Sequence, residues 1–351
     1  MKQAPLSIAG LGMVSCLGFG AEINAMVMRC GYDGFTQTVF NQPYNAEKQI
    51  GAPIDTELQG SEKMVHMLKA VIQHAIHNLP PYYENLPILF CLPEKSVPGI
   101  VNDEETFNNI LNRALVDIDL GPLHPQSAVF WQQRCGFVSA LDLAQQLIYQ
   151  GDQNYVLIVG LDSLLNRSTI AYYAGDLYGE GRRLLGEEYS NGFIPGEAAC
   201  AVLVSRPNGK QPEVVIASVG EAEEPATIGD ENLVMKGQGL SAAINRASES
   251  AAIAVHETAF RVASVSGEDY FFTEAALAHY KTLKKKLPSH PLWHPADNVG
   301  EVGAAVGGIM IIMTYYAFTK GYAPGNTALC HISNDNRQRG AFIMQYRGQG
   351  T

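Results

Sequence analysis

Apolar residues recur along the chain in two patterns, one typical of helices and one typical of strands. Met64 and Leu68 belong to a run with helical spacing, which predicts a helix over 61–79 with Ser61 as its N-cap. The run YVLIV at 155–159 is continuously apolar and of strand length, as in a strand covered on both faces. The same criteria predict further strands at 7–15, 86–92, 128–131, 198–204, 214–219, 269–273, 328–332 and 341–345, and further helices at 22–30, 104–115, 140–149, 240–255, 274–286 and 302–318.

Breaker residues divide the chain near its middle. The segment RPNGKQP at 206–212 is polar and contains two prolines and a glycine. Strands and helices alternate on both sides of it, an order that predicts parallel sheets with right-handed crossovers. We therefore expect two successive α/β halves, 1–208 and 209–351. Segment 31–60 has many turn formers and little periodicity, so we expect a loop excursion there.

Composition and charge limit the functional classes. Of the 351 residues, 46% are hydrophobic and 17% are charged, which suits an α/β protein with buried strands. The net charge is −11, whereas a nucleic-acid-binding protein needs a broadly basic face, so no nucleic-acid partner is expected. The densest basic cluster, KTLKKK at 281–286, is interpreted as a solvated helix end.

The cysteines and the apolar runs indicate where the protein works. The six cysteines are scattered, with no C-x-x-C pair and no metal-ligand spacing, so we expect reduced thiols, no metal site and a cytoplasmic location. No uninterrupted apolar stretch reaches the roughly 18 residues of a membrane span. The first 16 residues are broken by Pro5, Gly10 and Gly12, which argues against an export signal.

A dinucleotide-binding fold is a rival interpretation of the N-terminus. Gly10 and Gly12 begin a G-x-G-x-x-G fingerprint, but Ser15 stands where its third glycine is required. The acidic residue expected about 20 positions later would be Asp33, which lies in a turn rather than at a strand end. We therefore expect no nucleotide cofactor, and no other cofactor is indicated.

Four segments, in order and across nearly the whole chain, carry a family resemblance. They are IAGLGMVSCLG at 8–18, the helix and following strand within 140–163, NGFIPGEAA at 191–199, and NVGEVGAAVGGI at 298–309. Together they resemble the β-ketoacyl synthases of the thiolase superfamily. The resemblance implies a thiolase-like α/β fold, in which two pseudo-equivalent halves form a five-layer α-β-α-β-α architecture. Gly196 and Glu197 match the family's Gly-Glu pair and are expected to be structural.

The resemblance also implies positions for the family's catalytic groups, and most of these hold other residues here. The nucleophilic Cys position, counted back from Gly151 without gaps, falls on Arg134. Cys135 is one residue further on, so either residue can occupy that position. The family's second catalytic His corresponds to Glu301, and its Lys corresponds to Ala296.

The loops that complete the family's pocket differ as well. The first catalytic His belongs to an H-G-T-G-T loop after a strand that corresponds to 269–273 here, and no such loop follows Thr273, so we expect it to be deleted. His279 is too far along and is interpreted as a helix-surface residue. The closing Gly-Phe-Gly-Gly loop aligns with the polar segment SNDNRQR at 333–339. By this alignment the pocket positions are Arg134, Thr273, Asn298 and Ser333.

These replacements leave two functional hypotheses. An ionised Glu301 would oppose both a nearby thiolate and a developing oxyanion, so decarboxylative condensation is not expected. The first hypothesis is a β-ketoacyl synthase-like protein without the Cys-His-His set, acting as an acyl-, carrier- or protein-binding subunit or as an accessory factor. The alternative is an active acyltransferase or thioester-processing enzyme, with Cys135 as acyl acceptor and Glu301 as general base. The resemblance implies an acyl thioester or acyl carrier protein as ligand, and a homodimer or a heterodimer with a related synthase or another protein.

Overall fold

The computed structural model describes residues 3–42, 47–79, 86–116, 118, 120, 122–175, 183–186, 189–209, 212–230 and 232–348. The strands in these ranges are β1 (Leu6–Ser15), β2 (Gly18–Phe19), β3 (Thr36–Asn41), β4 (Lys48–Gly51), β5 (Ile88–Leu92), β6 (Ala128–Trp131), β7 (Tyr155–Ser163), β8 (Glu197–Ser205), β9 (Glu213–Glu223), β10 (Phe260–Ala263), β11 (Leu292–Trp293), β12 (Thr327–Ser333) and β13 (Gln338–Arg347). The α-helices are α1 (Ala21–Arg29), α2 (Gly60–Ile76), α3 (Glu104–Leu115), α4 (Gly136–Tyr149), α5 (Arg167–Tyr173), α6 (Gln238–Ala251), α7 (Asp269–Thr282), α8 (Ala296–Val299) and α9 (Val306–Thr319).

The two halves of the chain build the main sheet in the same strand order. The order β6-β5-β7-β8-β1 in the first half matches β11-β10-β12-β13-β9 in the second, position for position. In each half the last strand in sequence, β8 or β13, runs antiparallel to both of its neighbours. The inner crossover strands pair in parallel. The two sets of strands meet where β1 pairs with β9, at Leu6–Ile216 and Ser7–Val215.

Helices cover the strands in layers. Helices α4 and α9 contact strands of both halves and lie between them. Helices α2 and α3 cover the outer face of the first set of strands, and α6 and α7 cover the outer face of the second. The five-layer α-β-α-β-α architecture is therefore confirmed. Because α9 is enclosed on all sides, it is apolar all round, as a fully buried helix must be.

The same tight turn precedes both buried helices. Before α4, Gln132 has φ −131° and ψ 21°, and Gln133 follows at φ 45°. Before α9, Val302 has φ −122° and ψ 18°, and Gly303 follows at φ 50°. Glycine is required in the second turn, because a Cβ at Gly303 would lie 1.9 Å from the Asp162 carboxylate. The halves thus present matching helix N-termini to each other at the centre of the molecule.

Several predicted elements differ from those in the structure. Residues 269–273 are not a strand: they form the first turns of α7, which ends at Thr282. The sequence DYFFT has high β-propensity, but packing of Phe271 against β10 and its neighbours decides the local structure. Segment 31–60 is not all loop, because it contains the hairpin β3–β4. Helix α2 begins at Gly60 with Gln59 as the preceding residue, so Ser61 is not its N-cap. The segment 206–212 connects β8 to β9, and residues 210 and 211 in it lie outside the described ranges.

Candidate functional site

The two repeated turns bring Arg134 and Glu301 into contact, although they are 167 residues apart in sequence. Arg134 lies one residue into the turn before α4, and Glu301 lies just before the turn that leads into α9. The Arg134 Nε donates to Glu301 Oε1 at 3.0 Å, and both side chains are 1% exposed. The same Glu301 oxygen accepts the backbone N–H of Gly303 at 2.8 Å. A fully buried ion pair therefore links the N-termini of the two central helices.

A second arginine extends this pair into a network. Arg134 Nη1 donates to Asp335 Oδ1 at 2.9 Å, and Asp335 Oδ2 accepts from Arg183 Nη1 at 2.8 Å. Arg183 also holds both oxygens of Glu268, at 2.7 and 2.9 Å. Three carboxylates therefore share two guanidinium groups. We call Arg134, Arg183, Glu268, Glu301 and Asp335 the central ion network.

The network keeps its charges because each ion faces an opposite one. Burial would lower the pKa of Arg134, but the carboxylates of Glu301 and Asp335 outweigh burial and raise it. Burial would raise the pKa of Asp335, but Arg183 and Arg134 together hold it well below its usual range. For Glu268, burial outweighs the attraction of Arg183, and its pKa is raised.

Asp162 is a further buried carboxyl beside the network. Burial, opposed by the backbone N–H of Ala304 and reinforced by the charge of Glu301, raises the pKa of Asp162 to about 7. Its Oδ2 accepts that Ala304 N–H at 2.9 Å, so Asp162 caps the turn before α9. It lies near the end of β7, after the apolar run at 155–159 that was identified from the sequence.

Cys135 faces away from the ion pair. Its thiol lies 3.4 Å from the carbonyl oxygen of Gln338 and 4.0 Å from that of Ile332, so it donates towards β12 and β13. The residue is 3% exposed. Burial is the main reason that the pKa of the thiol is raised to about 12, although nearby Arg339 favours the thiolate. At neutral pH the sulfur is therefore a protonated thiol bonded to carbonyl oxygens.

Some of the other sequence-predicted residues reach the network and some do not. The carbonyl oxygen of Ser333 accepts from Arg134 at 3.3 Å. Gly196 supports Glu301 through the backbone, donating its N–H to the Glu301 carbonyl at 2.8 Å. Asn298 instead donates its side-chain amide to the carbonyl of Tyr32 at 2.7 Å. Thr273 lies on the exposed side of α7 and is not part of this cluster.

Glu197 is held in a separate cluster under the hairpin. Its Oε1 pairs with Lys63 at 2.7 Å and also accepts the N–H of Ile54 at 2.9 Å. Its Oε2 accepts the hydroxyl of Ser163 at 2.8 Å. These bonds fix segment 53–63 against the end of β8, and the side chain lies in the floor of a cleft of about 430 Å³.

Residues 269–273 are helical, so the strand that precedes α7 is β10, and a short loop follows it. After Ala263 the chain continues through Ser264 and Gly267 to Glu268, so a short loop is present and contains no histidine. Its last residue enters the central ion network through Arg183. His279 is not a free surface residue, because it is half-buried and bonded to His290 at 2.9 Å. Burial lowers the pKa of both imidazoles to about 4.

The segment 333–339, which contributes Asp335 to the network, is held in place by many polar bonds. Asn334 and Asn336 both donate to Glu94 Oε1, at 3.1 and 2.6 Å. Arg339 pairs with Glu274 at 2.7 Å, with both side chains fully buried. It also donates to the carbonyl oxygens of residues within its own segment, including Asn334 at 2.9 Å. The polar residues of this segment therefore hold it in place.

Among the residues in and beside the network that sequence reasoning missed, only Asp162 carries a usable signal in the sequence. Asp162 lies near the end of the otherwise apolar strand β7, and a carboxyl buried there demands a partner. Arg183, Glu268 and Asp335 lie in polar loop segments, where a charge is ordinary. Only the fold shows that these loops converge on Arg134.

The two best-formed clefts lie away from the central ion network. Two clefts of about 320 and 310 Å³ meet at His294 and Asp297, and neither is lined by Arg134 or Glu301. In the described ranges, no group of three or more His, Cys, Asp or Glu side chains could hold a metal ion. No helix in those ranges is long and apolar enough to cross a bilayer.

Comparison with known proteins reveals similarity in structure only. No protein-family model and no curated protein matches the sequence. A structure of the AntDE ketosynthase with the type II polyketide acyl-carrier protein AntF aligns with a TM-score of 0.79 and 14% identity, over 98% of this chain and 100% of that one. The ketosynthase ApeO with its chain length factor ApeC, from Xenorhabdus doucetiae, aligns with a TM-score of 0.70 and 13% identity, over 98% of both chains. A β-ketoacyl synthase from Burkholderia phymatum STM815 gives a TM-score of 0.70 and 14% identity, over 99% and 100%. The chain therefore has the thiolase-like fold of ketosynthases and chain length factors.

Proposed function

We propose that this protein is a non-condensing member of the ketosynthase fold, which acts in the cytoplasm as a binding subunit or accessory factor. The observation that carries the proposal is the buried ion pair between Arg134 and Glu301. The resemblance assigns Glu301 to the position of the family's second histidine, and either Arg134 or its neighbour Cys135 to the position of the nucleophile. Arg134 and Glu301 are structural charges bonded to each other, so neither is available to an acyl thioester.

The chemistry of condensation argues in the same direction. A condensing enzyme needs a thiolate and hydrogen-bond donors aimed at the thioester oxygen as negative charge develops on it. Arg134 is not a nucleophile, and Glu301 is an acceptor already bonded by Arg134 and by the Gly303 N–H. A carboxylate at that point would repel both the oxyanion and a malonyl carboxylate. Paired charges of the central ion network thus fill the region to which the resemblance assigns the active site of a synthase.

The alternative, an acyltransferase that uses Cys135, has less support. Such an enzyme needs an accessible sulfur that ionises near neutral pH. Cys135 is buried, its thiol points to the Gln338 carbonyl, and its pKa is raised to about 12. Glu301 is engaged by Arg134, so it is not free to serve as general base.

A partner subunit is the second part of the proposal. The similar structures include a ketosynthase with an acyl-carrier protein and a ketosynthase with a chain length factor. In this chain β6 is the last strand at one end of the main sheet, and its sequence AVFW carries no charge or proline to block pairing. Val129 on β6 and Leu123 near it are large apolar side chains that are 39% and 40% exposed. We propose that this edge pairs with a second copy or with a related synthase.

Intact-mass measurement tests the proposal that the protein does not catalyse condensation or acyl transfer. The protein is incubated with acetyl- and malonyl-thioesters of coenzyme A and of an acyl carrier protein, with an active ketosynthase as positive control. We expect no covalent adduct and no condensation product. An adduct that disappears in Cys135→Ser but persists in Cys30→Ser would overturn the proposal, because Cys30 is the exposed thiol.

Light scattering tests the proposal that the protein pairs with a second subunit through β6. We expect a dimer, alone or with a co-expressed synthase, and we expect Val129→Glu to dissociate it. The matched control is Val39→Glu, which introduces the same charge at a side chain that is 82% exposed on β3. A monomer under all conditions, or a dimer unaffected by Val129→Glu, would contradict pairing through β6.

A further inference from the structure

One corner of the outer helical layer combines exposed apolar side chains with a concentration of positive charge. We call it the α7 corner. It consists of the outward face of α7, the loop before α6 and the segment after α7: Leu277, Tyr280, Lys281, Leu233, Val234, Lys236, Lys284, Lys285 and Lys286. We propose that the α7 corner binds an acidic, amphipathic helical segment of a partner protein. This inference does not rest on the proposed loss of condensation.

The loop and the helix form a single surface because they are bonded together. Lys281 Nζ donates to the carbonyl oxygen of Lys236 at 2.6 Å. Gly237 adopts φ 61° and packs its backbone against α7, where an added Cβ would lie 3.1 Å from the Glu274 carbonyl. The loop is therefore seated on the helix, and Lys236 and Lys281 are neighbours in space.

The corner is basic on an acidic protein. Five of the 24 lysines and arginines are here, while the whole chain carries a net charge of −11. In the described part of the chain, none of these five lysines forms an ion pair with a carboxylate. No described carboxylate therefore holds these ammonium groups in an ion pair, and they can face an acidic partner.

Several large apolar side chains at the α7 corner are mostly exposed to solvent. Tyr280 is 83% exposed, Val234 is 79% exposed and Leu233 is 50% exposed. On α7, Thr273, Leu277 and Tyr280 follow helical spacing on the outward side, opposite the buried Phe271 and Ala278. Exposed apolar groups gathered in this way are characteristic of interaction sites.

The short distance over which exposed charges act favours a protein segment, rather than a lipid surface, as the ligand of the α7 corner. Salt screens exposed charges beyond about 8–10 Å, so a helix docked on the corner interacts mainly with the five lysines. An anionic bilayer spreads under the whole molecule and would meet acidic surfaces as well. A helix with leucines on one side and glutamates beside them matches both properties of the corner.

Binding of a defined peptide tests the proposal. The probe is an amphipathic helix of about 18 residues, with leucine at one face and glutamate elsewhere, and its control replaces each glutamate with lysine. We expect the acidic peptide to bind and the basic one not to bind. We expect affinity to fall at least about tenfold in Lys284→Glu/Lys285→Glu and on raising salt from about 0.05 to about 0.3 M. Val234→Ser/Tyr280→Ser should weaken binding independently of salt.

A matched variant shows whether peptide affinity depends on the charges of the α7 corner or only on the net charge of the protein. Lys95→Glu/Lys320→Glu makes the same change in net charge at surface ion pairs elsewhere, and it should leave affinity within about twofold. Equal loss in both variants, or no binding of the acidic peptide to wild type, would overturn the proposal. Binding to vesicles of phosphatidylserine in phosphatidylcholine without binding to the peptide would also overturn it, in favour of a membrane surface. Circular dichroism of each variant verifies that it is folded.

Discussion

Removal of Arg134 is the most direct perturbation of the central ion network. In Arg134→Met, Asp335 keeps Arg183, but Glu301 loses the one ion-pair partner that it has among the described residues and keeps the N–H of Gly303. Glu301 is 1% exposed, so water does not replace the lost guanidinium. Leaving one member of a buried pair uncompensated costs about 3–5 kcal/mol. We expect a loss of that size in the free energy of unfolding.

Two further variants separate the charge from the packing. In Glu301→Gln the amide oxygen still accepts from Gly303 and Arg134, and Arg134 remains paired with Asp335, so we expect a loss of about 1–3 kcal/mol. In Arg134→Met/Glu301→Gln no uncompensated charge remains at the pair. The double variant should therefore be more stable than the sum of the single losses predicts, by about 1–3 kcal/mol.

Urea unfolding followed by circular dichroism measures these differences, with the slopes compared to exclude changes in the unfolded state. The control is Arg113→Met, which breaks the Arg113–Glu62 pair, where the side chains are 41% and 60% exposed. That surface pair should contribute less than about 1 kcal/mol. If Arg134→Met costs no more than Arg113→Met, or if the double-mutant cycle is additive, the view of Arg134 and Glu301 as a coupled structural pair is refuted.

Three other outcomes are expected. Iodoacetamide at pH 8 should modify the exposed Cys30 and spare Cys135, whose pKa is raised to about 12, and peptide mapping that finds rapid labelling of Cys135 would contradict this. Asp162 has a folded pKa of about 7 against about 3.9 unfolded, so the folded state binds more protons between these values and stability falls as pH rises through that window. Asp162→Asn should therefore gain stability relative to wild type between pH 5 and pH 8 in urea titrations, and a difference independent of pH would argue against a buried protonated carboxyl. The pKa values of His279 and His290 are lowered to about 4 in the folded state, against about 6.5 in the unfolded state. Their contribution to stability is therefore present above about pH 6.5 and is lost as the pH falls towards 4. NMR titration midpoints above 6 for these two imidazoles would exclude this.

Much of the fold was predictable from the sequence because it depends on local patterns. Continuous apolar runs such as the one in β7 can be satisfied only by burial on both faces, and their alternation with helical spacing implies the layered α/β arrangement. The glycines of α9 belong to the motif at 298–309, and the structure explains one of them: Gly308 has no room for a side chain beside Cys200. The error at 269–273 arose where local propensity and packing disagree. Phe271 and Ala275 both face the core, and they are four positions apart. Residues with this separation share a face in a helix and also in a strand, so the pattern alone did not distinguish the two.

The site depended on contacts that no local pattern encodes. From the sequence by itself, the resemblance to β-ketoacyl synthases predicts that the family's nucleophile and histidine positions hold Arg134 or Cys135 and Glu301, and that condensation is not expected; both stay predictions. Only the tertiary structure decided which residue meets Glu301, because the repeated turns place the two helix N-termini face to face. It also brought Asp335 and Arg183 to the same point from separate loops. The physical reason is that a buried charge requires an opposite charge within a few ångströms, and that distance is a property of the fold, not of sequence separation.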